Sequence, residues 1–429
     1  MRDFLPADVR RREYVIGVIK RIYERYGFEP LETPAVENLD TLMGKYGEEG
    51  NQLIFKILKR GEHEASGQAD LALRYDLTVP LARVIAHHQS DLPRLFKRYQ
   101  IQPVWRADRP ARGRFREFYQ CDVDALGSTS PAIEAEVCAA VSDALLELGF
   151  ADFKIRLNHR QLLTSTLNAV GIPEPLHGSA LVAVDKLDKI GRDGVLTELE
   201  SRGVAREAAA SFLAILDAWK GDTTSVKLDE AGQAAWENLA AVLALAQGTS
   251  AERHLVPDLS LARGLSYYTG AIMEINVADL AGSLGGGGRY DNLVGMFLGQ
   301  SIPACGFSLG LERILVVMGE RGMFPASLAT TAADVMMAVF DPQDLNSAMR
   351  VAGLLRQAGL RVLTYPEPDK IGKQIKYADS RGIPYVAILG GDEITAGTVT
   401  VKDLAGKTQR TYDQAAAGAA ILEELKRRG

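Results

Sequence analysis

The chain carries only three cysteines in 429 residues, Cys121, Cys138 and Cys305, odd in number and far apart. That pattern excludes a disulfide framework and a cysteine-rich zinc site, and it fits a reducing compartment. The six histidines show no HExxH or similar ligand spacing, so no metal site is expected from side-chain clusters. No apolar run approaches the ~18 residues of a membrane span. The charged start MRDFLPADVRRREYV lacks the apolar core of a signal peptide. A cytoplasmic protein without a membrane partner is expected. Nucleotide-binding glycine fingerprints are also missing. The glycines at 285–288 run into Arg289-Tyr290-Asp291 rather than Lys-Ser/Thr, and Gly406-Lys407-Thr408 has Val401 where a P-loop starts with glycine. A net charge of −6 argues against indiscriminate binding of nucleic acid, DNA included.

What is present is an ordinary globular composition, 47% hydrophobic and 24% charged, long enough for two or three domains. The most informative stretch is 94–126, RLFKRYQIQPVWRADRPARGRFREFYQCDVDAL. It reads as a strand up to Arg106, a loop over 108–113 and a second strand over 114–126. Alternation puts Phe115, Glu117, Tyr119, Cys121, Val123 and Ala125 on one face of the second strand. Arg116, Phe118, Gln120, Asp122, Asp124 and Leu126 fall on the other. A row of Gln and carboxylates in an apolar strand costs a few kcal/mol unless each group finds a partner. From Arg94 to Arg116, seven Arg and Lys97 stand against the single carboxylate of Asp108, eight minus one or +7 locally. Arginine forks suit phosphates. A basic hairpin beside a carboxylate row suits a substrate with phosphates at one end and an amine or imidazole at the other; a solvated basic hairpin would account for the charges alone.

The remaining elements frame this hairpin. A helix is expected over 8–26, closed by Gly27, then an extended segment FEPLETPAVE (28–37) whose prolines suit a sheet edge and which serves either a dimer contact or its own core. Residues 72–80 read as a strand entering a helix (81–88), with Asp76 and Thr78 on one face, suited to an ammonium group or to a helix cap. Next come an amphipathic helix over 131–148 and a short strand over 153–157. An Ala/Leu-rich helical block follows over 161–252 without a legible motif, and reads as an insertion. Strand texture returns at Leu255, with Arg263, Tyr267 and Tyr268 between turn glycines. Four successive glycines at 285–288 cost entropy unless something must approach the backbone, a surface loop being the alternative. At 303–314 a strand meets a helix carrying Glu312-Arg313 in its first turn, placed for an anion or a base, with Gly306 and Gly310 leaving room for a flat ligand. After a linker at 321–333, the order strand, helix, strand, helix, strand, strand, helix implies a small α/β domain with helices on both sheet faces. Lys370, Lys373, Lys376 and Arg381 lie on or beside one of its helices, as a patch or as a solvated face.

These motifs together resemble the class II aminoacyl-tRNA synthetases, and within them the histidyl-tRNA synthetase family, over essentially the whole chain. YGFEPLETPAVE is similar to class motif 1, VWRADRPARGRFREFYQCDVDA to motif 2 and CGFSLGLERI to motif 3. ARGLSYYTG and GGGGRYD resemble stretches specific to the histidine enzymes, and KQIKYADSRGIPYVAILG with VTVKDL resembles their anticodon-binding domain. Two departures stand out: Asp76 is shorter than the Glu often found there, and Ser266 replaces an Asp or Asn. The resemblance implies an α+β fold, with a class II catalytic domain at 1–325, an antiparallel sheet flanked by helices and interrupted by the helical insertion at about 161–252. An α/β anticodon-binding domain at 334–429 would follow. It implies ligation of L-histidine to tRNA(His) with ATP and Mg²⁺, by a homodimer. Arg106, Arg313 and Arg263 would be catalytic. Asp108, Arg114, Phe118 and Glu312 would join Arg106 and Arg313 around ATP, with Phe118 stacked on adenine. Asp76, Thr78 and Gln120 would hold the α-amino group of histidine, while Asp124 and Tyr268, beside Tyr267, would read the imidazole and Arg263 would bridge carboxylate and α-phosphate. Two other readings differ in class: a non-catalytic regulatory subunit of ATP phosphoribosyltransferase, which lacks the tail and usually the arginine–tyrosine motif, and a nucleic-acid-binding module, which has no use for the carboxylate row.

Overall fold

The computed structural model describes residues 1–61, 66–219, 226–262, 267–325, 328 and 331–428. Arg263 and Ser266 lie outside the described residues. The chain forms two compact units, Met1–Phe4 with Arg12–Met323 and Leu5–Arg11 with Phe324–Gly429.

In the first unit an eight-stranded sheet has the order Glu29–Pro30, Phe96–Trp105, Glu117–Leu126, Ala304–Gly310, Gly285–Arg289, Ala271–Asn276, Lys154–His159, Leu255–Pro257. Pairing is antiparallel throughout the middle and parallel only at the two edges. The proline-bearing 28–37 segment does supply an edge strand, because Pro30 has no N–H to give a second neighbour. The helix before it runs Pro6–Arg25 and ends at Gly27, whose φ of +73° lets the Phe28 N–H reach back to Tyr23 O at 3.2 Å.

Strand register gives the sheet two unlike faces. One row across it reads Arg98, Asp124, Gly306, Gly288, Ile272, Asn158, and the next reads Gln100, Asp122, Ser308, Gly286, Glu274, Arg156. The opposite face carries Tyr99, Val123, Phe307, Met273 and Leu157, all buried. Residues 12–25 of the first helix and helix Ala132–Glu147 cover that apolar face, with the Tyr23 hydroxyl donating to Cys121 O. Apolar burial on one side leaves the other for polar work.

Several local expectations change. Helix Ala132–Glu147 is not amphipathic but buried on most sides, since helix Glu230–Leu245 packs on its back. The strand expected at 72–80 ends at Leu73, and a helix begins at Thr78, because Asp76 Oδ1 accepts the Val79 N–H at 3.0 Å. Pro80 fits the first turn, where its missing N–H costs nothing. The four glycines form a central strand, not a surface loop. A Cβ on Gly287 would lie 2.2 Å from Gly306 O, and one on Gly288 2.5 Å from Ala271 O, so the neighbouring strands demand glycine there. Gly286 is the least crowded of the four, though a Cβ there would still press on Met273 O at 3.3 Å. Gly306 is likewise required by the protein itself: a Cβ there would sit 1.8 Å from Asp124 Oδ1, so no ligand is needed to explain it.

The 161–252 block contains helices Arg160–Ala169, Glu174–Val184, Leu187–Ser201, Arg206–Ala218 and Glu230–Leu245. The first and last pack on each other and on strand Lys154–His159. The second unit holds a five-stranded sheet, Val362–Thr364, Val335–Val339, Tyr385–Leu389, Thr398–Asp403, Thr408–Asp413. Leu345–Gln357 and Ala417–Arg428 supply one apolar layer against it and Ile371–Ser380 the other. Thr408–Asp413 escapes sequence reading because TQRTYD is polar and, as an edge strand, mostly exposed. Gly406 and Lys407 lie in its hairpin turn, where Asp403 Oδ1 accepts the N–H groups of Ala405 and Gly406.

Candidate active site

The polar face of the first unit's sheet opens into a cavity of about 1130 Å³. Its basic end is built by the hairpin loop and the helix Leu311–Glu320. Arg106 stands at the end of the first hairpin strand, its Nε donating to Tyr75 O at 3.0 Å and its guanidinium 4.3 Å from the Tyr75 ring and 5.2 Å from the Phe118 ring. Those rings fix its plane. Arg313 donates to Ser283 O, and a Cβ on Gly113 would approach its Cγ to 3.1 Å, so the hairpin loop closes tightly over it. Asp108, exposed Arg114, and half-buried Phe115 and Phe118 line the same end.

Glu312 is buried beneath them, with Oε2 accepting the Tyr119 N–H at 2.9 Å and Oε1 accepting nothing. Burial pushes its carboxyl up to about 7, opposed by the Tyr119 and Glu312 N–H groups and by Arg2 and Arg12. A buried acceptor left unpaired at a cavity wall costs about 1–3 kcal/mol unless a ligand satisfies it.

The acidic end centres on Asp76, which is 1% exposed in the loop ahead of helix Thr78–His87. Besides capping that helix, it accepts from Tyr46 Oη at 3.0 Å and Tyr267 Oη at 3.3 Å. Burial raises its affinity for a proton, opposed by these donors and by Arg106. Cap and cavity wall are therefore one residue. Thr78, Gln120, Tyr267 and Tyr268 complete this end. Arg160, just ahead of the insertion, and Asp185 and Lys189 within it add a further wall.

Behind the wall lies a buried polar layer. Arg98, with no exposure, places Nη2 2.9 Å from Asp124 Oδ2, off the hydrogen-bond axis, so this oxygen accepts no hydrogen bond although the charges pair. Asp124 Oδ1 takes the Tyr290 hydroxyl. Burial is the main cause that raises the proton affinity of both Asp122 and Asp124, with Arg98 opposing.

The histidyl-tRNA synthetase family model matches residues 1–314, and an anticodon-binding domain model matches 334–424. The chain belongs to the histidyl-tRNA synthetase family. It is 42% identical to a histidine–tRNA ligase of Porphyromonas gingivalis over 94% of each chain, and 41% identical to that of Gloeobacter violaceus over 99% of this chain and 98% of the other. The crystal structure of histidyl-tRNA synthetase from Nostoc sp. PCC 7120 superposes with a TM-score of 0.80 at 33% identity, covering 99% of this chain and 97% of that one. A Bacillus halodurans protein described as an ATP phosphoribosyltransferase regulatory subunit/histidyl-tRNA synthetase shares the fold, with a TM-score of 0.74 at 22% identity.

Within this class II enzyme, the structure gathers Arg106, Asp108, Arg114, Phe118, Glu312, Arg313, Asp76, Thr78, Gln120, Tyr267 and Tyr268 around one cavity. Asp124 is the exception: it shares their sheet face but is 2% exposed, bound to Arg98 and Tyr290, and absent from the wall. Arg116 also departs from the polar row, lying before the strand with Nε donating to Asp108 O at 3.2 Å. Sequence reasoning missed Tyr46, Tyr75, Arg160 and Glu274. Only Glu274 left a signal, as the single carboxylate in the apolar strand Ala271–Asn276.

Proposed function

We propose that this cavity joins L-histidine to ATP and passes the histidyl group to tRNA(His). One observation supports the reading above all: Arg106 and Arg313 at one end share a single cavity with Asp76, Thr78 and Gln120 at the other. A nucleotide needs the first set and an amino acid the second. The histidine carboxylate attacks the α-phosphate in line, pyrophosphate leaves, and a ribose hydroxyl at the tRNA 3′ end then attacks the carbonyl of histidyl-adenylate. The work of the protein is positioning and charge stabilisation, which fixed guanidiniums supply.

In this reading Arg106 and Arg313 grip the phosphates, Phe118 stacks on adenine, and Asp108 and Arg114 flank the nucleotide. Asp76, Thr78 and Gln120 receive the α-ammonium group. Tyr268, beside Tyr267, meets the imidazole directly. Asp124 acts from behind the wall, and reaches the ring only if binding draws it from Arg98 and Tyr290. Arg263 bridges carboxylate and α-phosphate. ATP would enter as its Mg²⁺ complex, and Glu312, a carboxylate at the phosphate end of the cavity, is the side chain that would help hold the ion, which would neutralise charge on the phosphates. The division into a catalytic domain at 1–325 and an anticodon-binding domain at 334–429, homodimerisation, and a cytoplasmic location belong to the same reading. Among the described residues no helix is long and apolar enough to cross a membrane.

ATP–pyrophosphate exchange with each of the twenty amino acids, without tRNA, tests it. Exchange with histidine alone is expected. No exchange from folded protein would shift the reading to the regulatory class. Arg263→Ala should abolish exchange while histidine binding largely survives.

A further inference from the structure

Gln120 is 8% exposed at the cavity wall, and its Oε1 accepts no hydrogen bond. Its Nε2 donates to Ser308 Oγ at 2.7 Å and to Asp122 Oδ1 at 3.4 Å. A carboxamide has one accepting end and one donating end, so whatever holds one end decides which faces the ligand. An ionised carboxylate only accepts. Asp122 therefore takes the nitrogen of Gln120 and leaves the oxygen, itself buried at the cavity wall, as the end free to accept from a ligand. Ser308 favours the same sense, because its hydroxyl accepts from Gln120 Nε2 at 2.7 Å and favours the ionised form of Asp122. Asp122 itself is 2% exposed and does not reach the cavity; it sits between Gln100 and Ser308 in the sheet.

We propose that Asp122 is a positioning residue for the amino-acid substrate, holding Gln120 so that a carbonyl oxygen rather than an N–H meets the cationic α-ammonium group. The inference rests on the reading that Gln120 receives that group. An N–H in the same place would repel the ammonium, so the orientation decides the sign of the contact.

The device depends on the charge of Asp122. Once protonated, Asp122 becomes a donor, and the amide gains by reversing. The charged groups acting on it are Arg98 across the strand pair, Asp124 on its own strand, Asp76 in the loop ahead of helix Thr78–His87, and the more distant Arg74. Tyr268 on the cavity side, and Tyr23 and Cys121 beneath the sheet, also face it but ionise far above neutrality. Burial, opposed chiefly by Arg98, lifts the Asp122 carboxyl to about 7.

The test is the Michaelis constant for histidine in pyrophosphate exchange, from pH 5.5 to 8.5, for the wild type, Asp122→Asn and Gln120→Leu. An asparagine at 122 can donate to the Gln120 oxygen and frees its N–H to face the cavity. At pH 8 Asp122→Asn should raise KM for histidine about tenfold, the size expected of one charge-assisted hydrogen bond. KM for ATP should stay unchanged. The variant-to-wild-type ratio should close toward one as pH falls through about 7, where the wild-type carboxyl takes up its own proton. Titration of the substrate imidazole affects both enzymes and cancels in the ratio. A ratio flat across pH, or an equal rise in KM for ATP, overturns the proposal. If Gln120→Leu leaves KM for histidine unchanged, the reading of Gln120 fails and the inference with it. If Gln120→Leu raises KM but Asp122→Asn does not, only the inference fails. Should Asp122→Asn not fold, Ser308→Ala decides: a selective rise in KM for histidine at pH 8 supports the proposal, and an unchanged value overturns it.

Discussion

Replacing Arg98 by Met should unbalance the buried layer that holds the acidic end of the cavity. The guanidinium is fully buried, 2.9 Å from Asp124 Oδ2, and donates to Gln100 Oε1 and Leu77 O, each at 3.2 Å. Removing one partner of such a buried pair costs about 3–5 kcal/mol, because a charge stays behind without compensation. Typical domains have about 5–15 kcal/mol in all. Arg98→Met should therefore remove a large share of the first unit's stability at pH 8. The cost should shrink in acid. Asp122 and Asp124 already have raised proton affinities, which loss of Arg98 raises further. A carboxyl whose folded pKa exceeds its unfolded value of about 3.9 binds protons preferentially in the native state, so stability falls as pH rises through the folded value and is regained as pH falls. At pH 5.5 the difference from wild type should drop to about 1–2 kcal/mol, the loss of two hydrogen bonds. All three tryptophans, Trp105, Trp219 and Trp236, belong to the first unit, so urea unfolding followed by tryptophan fluorescence reports on that unit alone. A stability loss equal at pH 5.5 and 8 would refute the reasoning.

Gly306→Ala should cost about 1–3 kcal/mol by overpacking, because its Cβ would fall 1.8 Å from Asp124 Oδ1 and dislodge that carboxylate from Tyr290; an unchanged melting temperature would contradict this. Glu312 carries a carboxyl raised to about 7 by burial, so its contribution to stability is present in acid and lost as pH rises from about 4.3 through 7. Glu312→Gln should therefore raise the melting temperature at pH 8 relative to wild type but not at pH 5, while exchange activity falls; an equal shift at both pH values would contradict the assignment of burial as the cause. Arg106→Ala should lower the exchange rate by about 10²–10³, as loss of one preorganised charge-stabilising donor does, and a smaller effect on KM for histidine than on kcat would separate phosphate binding from amino-acid binding. Asp124→Ala should raise KM for histidine, and near-wild-type kinetics would remove Asp124 from the site.

Much of this site was legible because its chemistry is local. The basic hairpin, the Gln120–Asp122–Asp124 alternation, the Glu312–Arg313 helix start and the proline-bearing edge segment each declare themselves within a dozen residues, since strand and helix periods map short stretches onto faces. Sequence likewise excluded disulfides and showed the alternating order of the second unit. What tertiary structure alone decided was which polar groups face the ligand and which face one another. Asp124 and Gln120 share a strand face, yet register places Arg98 beside one and leaves the other at the cavity wall. Asp76 was expected on a strand, but the Val79 N–H draws its carboxylate into a helix start where Tyr46 and Tyr267, 30 and 191 residues away, complete it. The glycine run likewise became interpretable only through its neighbours' carbonyl oxygens. Periodicity fixes the face of a residue; desolvation then makes each buried polar group take a partner, and those partners come from strands that only folding brings together.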